Sequence, residues 1–246
     1  MVVTLLSSLK LTILNQGLIF NSHMQVFRHV NGVFNSNTYL ISQATNNNVY
    51  LIDPGSDSIA VLDWLTINSK ELVGILLTHA HHDHIYGVND LLDKFPKAKL
   101  YITKEMIEPL LSAKINISAY MENDITLNIS YLNNIEFLEE NSNLLLWDLV
   151  NLNVLFTPGH TIDSITFQIN KYVFTGDSLI PGKKTVYRKK TGGNIMLSTD
   201  SINKIYNLFT GDNILLPGHG KEFTLNESKC VNEFCSLDWH SGFSLI

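Results

Sequence analysis

The chain has 246 residues, 45% of them hydrophobic and 16% charged, with a formal net charge of −6; that is enough apolar sequence for one large domain with a substantial core. The acidic balance excludes a nucleic-acid binder that works by general electrostatics. Two cysteines, Cys230 and Cys235, lie near the C-terminus; one short disulfide would add little to a domain of this size, so reduced thiols in a cytoplasmic protein are expected.

The first run, MVVTLLSSLKLTILNQGLIF, is apolar, but Lys10 and Asn15-Gln16 interrupt it short of the roughly 20 apolar residues of a spanning helix. It lacks a basic n-region and a clear small-x-small cleavage site, and makes an unconvincing secretory signal. Residues 1–23 are predicted to be a non-catalytic extension, with Met24 an alternative start, and residues 24–246 a single domain. No other segment reads as a membrane span.

From Met24 the chain reads as strand, turn and strand, with TYLIS and VYLIDPG as strands around the turn at Asn46-Asn47-Asn48. Ser58 to Asn68 has Ile59, Val61, Leu62 and Leu65 at helical spacing. LVGILLTH is a buried strand, VNDLLDKF a helix and AKLYIT another strand, and Glu105 to Ser118 is predicted helical with an interruption near Pro109. Later come LNVLFTPGH, SITFQIN, YVFTGDS and NILLPGHG, four strand-like runs, with a helix from Ile202 to Phe209 between the last two. Strands with intervening helices and no repeat argue for a mixed α/β architecture.

The stretch LTHAHHDHIYG, Leu77 to Gly87, carries four of the nine histidines and one aspartate in six consecutive positions. A packed core does not need them, and a solvated loop would accept Asn, Ser or Lys. Neutral imidazoles and carboxylates are, however, the ligand types that hold zinc and similar ions. A tight loop between a buried strand and a helix can aim alternate side chains in different directions, which suits two adjacent ions better than one. His82, between the ligands, is expected to point away. Three further candidates stand in similar settings: His160 closes VLFTPGH, Asp177 closes YVFTGD and His219 closes ILLPGH. Each follows an apolar run and a Gly or Pro-Gly turn that lets the chain leave a sheet sharply. Loops at strand ends gather at one sheet edge, where ligands bind. The expectation is a two-metal hydrolytic site.

The full set, His79-x-His81-x-Asp83-His84 followed by His160, Asp177 and His219, with LIDPG before it, resembles the metallo-β-lactamase superfamily over nearly the whole chain from Met24. The resemblance implies an αββα sandwich, a single α/β domain with the metals at one edge. It implies that His79, His81 and His160 bind one ion, that Asp83, His84 and His219 bind the other, and that Asp177 bridges them. Asp53 in LIDPG matches a position that supports the metal loop from behind the ligands. The implied cofactor is two zinc ions per chain, with iron or manganese as alternatives.

Asp177 argues against the true β-lactamases, which lack that carboxylate, and favours similarity to the glyoxalase II hydrolases of S-acylglutathione thioesters. The implied reaction is thioester hydrolysis by a hydroxide bridging the two ions, with Asp83 orienting it as the catalytic residue; no GxSxG motif offers a protein nucleophile. The expected substrate is a small-molecule or carrier-linked acyl thioester. Glyoxalase II carries a helical C-terminal domain that helps bind glutathione, whereas 27 residues follow His219 here. Acyl-carrier and coenzyme A thioesters therefore stand beside glutathione ones.

The segment Gly182 to Gly193 has five basic residues among the eight from Lys183 to Lys190. Similar enzymes contact substrate anions after the bridging aspartate, which makes Arg188 the nearest match, with Lys183 and Lys184 beside it; a solvated basic loop is the plain alternative. Other functions carried by the resemblance are an acyl-homoserine lactonase, although Ile180 stands where those enzymes commonly have Tyr, and a persulfide dioxygenase with one iron on His79, His160 and Asp177. A non-catalytic, metal-stabilised binding module is the alternative of a different class. The stretch from Glu105 to Asn153 lengthens the spacing between His84 and His160, and reads as a lid, a partner surface or an elaboration of the fold.

Overall fold

Strands covered on both faces need near-continuous apolar sequence, and the runs around Val49–Ile52 and Leu72–Leu77 supply it: nearly all their side chains are buried. The computed structural model describes residues 12–13, 24–147, 150–180, 187 and 189–227. The first sheet has seven strands in sequential order: β1 (Thr12–Ile13), β2 (Met24–Val30), β3 (Asn37–Gln43), β4 (Asn48–Ile52), β5 (Glu71–Leu76), β6 (Lys99–Ile102) and β7 (Ile135–Phe137). Pairing is antiparallel from β1 to β4 and parallel from β4 to β7. Parallel neighbours require crossovers, here α1 (Ile59–Ile67) before β5, then α2 (His82–Ile85) and α3 (Val88–Lys94) before β6.

The second sheet has six strands: β8 (Asn143–Trp147), β9 (Val150–Phe156), β10 (Ile165–Ile169), β11 (Tyr172–Gly176), β12 (Ile214–Pro217) and β13 (Phe223–Thr224). Its one parallel pair is β11 with β12, separated in sequence by a long helix at Ile195–Leu208. The sheets pack face to face. Tyr39 meets Phe174 and Tyr50 meets Trp147, each edge-on at 5.3 Å between ring centres, and one buried cluster joins Leu51, Ile75 and Leu100 to Leu152, Phe167 and Leu216. On the outer faces, Trp64 of α1 packs against Phe27 at 5.0 Å, and Ile205 of the long helix packs with Val173 and Leu215. This is the expected αββα sandwich.

Two expectations change. The helix expected from Glu105 to Ser118 is a 3-10 turn at Lys104–Met106 and one α-turn, α4 (Ile107–Leu110), followed by irregular chain. The Asn116 side-chain amide donates back to the carbonyl of Pro109 at 3.2 Å and to that of Ile125 at 2.7 Å, offering the backbone an alternative to helix. The long helix, α5 (Ile195–Leu208), starts seven residues before the predicted Ile202, because the Asn194 side-chain oxygen accepts from the amides of Met196 and Leu197 and caps it. The stretch from Glu105 to Asn153 contributes the outermost strands β7 and β8 of the two sheets, so it elaborates the fold. Among the described residues no helix is long and apolar enough to cross a membrane.

Candidate metal centre

Strand direction decides which loops meet. Because β10 is antiparallel to both β9 and β11, those two run the same way, and β12 is parallel to β11. His160, Asp177 and His219, which follow β9, β11 and β12, therefore leave the second sheet at one edge. In the first sheet β4 and β5 are parallel, so Asp53 and the loop from Thr78 to His84 also emerge together. Ser36 joins the two edges: it bridges to His219, and its hydroxyl donates to the Asp83 carbonyl at 2.6 Å. The neighbouring Asn37 and Tyr39 side chains both donate to the Pro217 carbonyl, at 2.8 and 2.7 Å, holding the loop that carries His219.

Six of the seven proposed ligands fall into two groups whose donor atoms converge within 4.8 Å, His79 with His81 and His160, and Asp83 with His84 and His219. In the first, His81 Nδ1 is 3.1 Å from His79 Nε2 and 2.9 Å from His160 Nε2. In the second, Asp83 Oδ2 is 3.2 Å from His219 Nε2 and 3.8 Å from His84 Nε2. Asp177 lies between them, its Oδ2 3.5 Å from both His160 Nε2 and His219 Nε2 and its Oδ1 3.7 Å from His84 Nε2. A tetrahedral shell with ligands at ~2.1 Å places them about 3.4 Å apart. The donor set therefore fits a cation in spacing as well as in chemistry. Two atoms aimed into the cluster, His84 Nε2 and Asp177 Oδ1, are buried without a hydrogen-bond partner, an arrangement that a bound cation would satisfy.

Asp53 lies behind these residues. Held at φ 52°, a left-handed conformation that Asp tolerates better than most residues, it accepts from the Thr78 amide at 2.7 Å and the Thr78 hydroxyl at 2.6 Å. Its Oδ2 also meets His84 Nδ1 at 3.0 Å, which turns His84 Nε2 toward the cluster. A further group of donors brings Asp53 together with His79 and His84, but its carboxylate is already engaged by Thr78 and His84, as befits a supporting residue. Asp53→Ala should lower stability by about 2–4 kcal/mol, since buried partners lose a charged acceptor. Urea denaturation measures this, and an unchanged midpoint would refute the supporting role.

Burial opposes charge throughout the cluster. At His79 and His81 it prevails, reinforced by neighbouring imidazoles, and both are held well below the ordinary histidine value. At His84 burial is outweighed by Asp83 and Asp53, which push it up to about 9. At His219 burial is likewise outweighed, by hydrogen bonds to Asp177 and Asp83, which push it up to about 10. Asp83 and Asp177 stay below the usual carboxylate range despite burial, because the cationic imidazoles favour their ionised forms. The centre is thus a pocket of neutral imidazoles beside one in which cationic imidazoles pair with carboxylates.

Lys183, Lys184 and Arg188 lie outside the described residues, as do Cys230 and Cys235. His82 is absent from the convergent donor groups among the described residues; its ring sits edge-on to Phe34 at 5.2 Å. The sequence reading missed Asp163, which is buried, has its pKa raised by that burial, and accepts from the Ala80 amide at 2.9 Å, fixing the backbone between His79 and His81. It also missed Ser36 and Asn37. The signal for both was a polar NSN triplet opening an apolar strand.

The fold and this His/Asp cluster are those of the metallo-beta-lactamase superfamily. The sequence profile of that superfamily matches residues 31–219, and the chain belongs to it. It is 29% identical over 229 residues to a probable metallo-hydrolase of Streptococcus pyogenes, covering 89% of this chain and 95% of that protein. It is 32% identical over 151 residues to a hydroxyacylglutathione hydrolase of Shewanella halifaxensis, covering 61% of this chain and 50% of that enzyme. The chain thus spans about half the length of the hydroxyacylglutathione hydrolases it matches. Among solved structures, the BLEG-1 B3 metallo-beta-lactamase superposes with a TM-score of 0.73 at 28% identity, over 85% of this chain and 98% of that one. TTHA1623 in a di-iron-bound form gives 0.70 at 26% identity, over 85% of this chain and 100% of that one.

Proposed function

We propose that this chain is a dinuclear metal hydrolase of acyl thioesters. In this reading His79, His81 and His160 hold one ion, Asp83, His84 and His219 hold a second, and Asp177 lies between them. The observation that carries it is the Asp177 carboxylate, whose Oδ2 is 3.5 Å from a histidine of each group. A pair of cations, zinc first and iron or manganese as alternatives, supplies Lewis acidity and lowers the pKa of a bound water towards about 7. Asp83, a donor of the second group, orients the attacking water. Asp53 fixes the ring of His84, and Asp163 the backbone between His79 and His81. The products are a carboxylic acid and a thiol. Similarity to hydroxyacylglutathione hydrolases supports a thioester substrate, and Lys183, Lys184 and Arg188 are proposed to contact an anionic part of the thiol carrier.

Elemental analysis after metal reconstitution should find about two ions per chain, falling to about one or fewer in Asp177→Ala. The substrate test is a panel of acyl thioesters of glutathione, coenzyme A and N-acetylcysteamine, run beside lactones and a β-lactam. Efficient cleavage of a lactone or β-lactam with no thioester touched would overturn the substrate class. Saturation at one iron, with oxygen consumed on persulfides, would overturn the hydrolase.

A further inference from the structure

Next to the metal centre lies a cavity of about 560 Å³, within the size range of small-molecule sites. Val33 and Phe34 line it from the turn between β2 and β3, Tyr86 from the end of α2, and Tyr120 and Ile125 from the connection between β6 and β7. Glu122 is the one carboxylate among its described lining residues, which include no lysine or arginine. His82 lies between the cavity and the metal centre: it lines the cavity, and its Nδ1 is 3.4 Å from Asp83 Oδ1. A group filling the cavity therefore lies one side chain away from the Asp83 carboxylate.

The far wall is tied to the metal loop. Asn116 is fully buried, and its carbonyl accepts the His82 amide at 3.0 Å. Its side chain accepts from the Ser118 amide at 2.9 Å and donates to the Ile125 carbonyl at 2.7 Å, while the Ser118 hydroxyl accepts the Ile125 amide at 2.8 Å. Between them Ile117 is held at φ 66°, a region a β-branched residue enters only when its surroundings over-determine it. The segment is thus a built wall that holds Tyr120 and Ile125 opposite Phe34.

We infer that this cavity is the acyl-binding subsite and that it takes an uncharged aliphatic acyl group several carbons long. The inference rests on the hydrolase reading and narrows it to a medium-chain acyl thioester. Where Val33, Phe34, Tyr120 and Ile125 form its walls, each buried methylene gains about fourfold in affinity. Glu122 repels an anionic group and no lysine or arginine among the described lining residues offsets it, so a charged thiol carrier must lie elsewhere.

The test uses two unreactive acyl probes, octanohydroxamate and acetohydroxamate, titrated calorimetrically into the metal-loaded protein, beside kcat/KM for the matching N-acetylcysteamine thioesters. With two or three of its six additional methylenes buried, the octanoyl probe should bind on the order of 10- to 100-fold more tightly. In Tyr120→Ala and in Phe34→Ala that ratio should fall several-fold, and both replaced side chains are more than half exposed, at 60% and 59%, so folding is little at risk. Equal affinity for the two probes overturns the subsite, as does a variant that weakens both probes equally. Chain-length-dependent binding without any thioester turnover leaves the subsite standing and overturns the hydrolase reading.

Discussion

Asp83→Asn should lower kcat for thioester hydrolysis by on the order of 10³-fold or more. The carboxylate is the one anionic donor in the group with His84 and His219, 3.8 and 3.2 Å from their Nε2 atoms. It therefore offers an anionic ligand oxygen that also orients the attacking water. The amide keeps the shape and a neutral oxygen but loses the charge. It can still coordinate weakly, so the fold should survive even where one ion is partly lost. His82→Ala, one position earlier, should cost far less, since His82 is outside the convergent donor groups. Steady-state kinetics, elemental analysis and thermal unfolding on the two variants separate the effects. Asp83→Asn within about tenfold of the parent in kcat would remove Asp83 from the chemistry.

Gly218→Ala should abolish metal binding and activity together. A Cβ on Gly218 would lie 2.2 Å from Asp177 Oδ1 and 2.7 Å from His84 Cε1, distances no methyl group can occupy, so the carboxylate between the two groups and a histidine of the second must both be displaced. Ligating groups tolerate little misplacement. Gly220 provides the control two residues on. It has φ +86°, and a Cβ added there would meet nothing within 4 Å, so Gly220→Ala should cost about 1 kcal/mol of conformational strain and spare the metals. Reconstitution followed by elemental analysis tests the pair. Full metal content in Gly218→Ala would mean that the loop relaxes without disturbing its neighbours.

The ligand-bearing segments were legible for a local reason. Each follows an apolar run and a turn that the sequence spells out, as in VLFTPGH, YVFTGD and ILLPGH, and apolar patterning with turn chemistry is short-range information. The connection from Glu105 to Asn153 was not legible. Strands β7 and β8 lie at the outermost positions of their sheets, with part of each face exposed, so their sequences carry a weak apolar signal. The helix expected before them fails because Asn116 is taken up by contacts to Pro109 and Ile125, and no spacing rule foretells such partners.

By itself the sequence determined the donors, their order and the turns that release them from the strands, because these depend on residue chemistry and neighbours a few positions away. Only the tertiary structure decided how the donors group. The parallel pairing of β11 with β12 and the bridge from Ser36 to His219 bring residues 136 positions apart, Asp83 and His219, to 3.2 Å. The supporting contacts of Asp53 and Asp163, the cavity walled by Phe34 and Tyr120, and the lack of room at Gly218 likewise came from packing. They arise where two sheet edges meet, and the shape of that junction is set by long-range strand order and direction that no stretch of sequence contains.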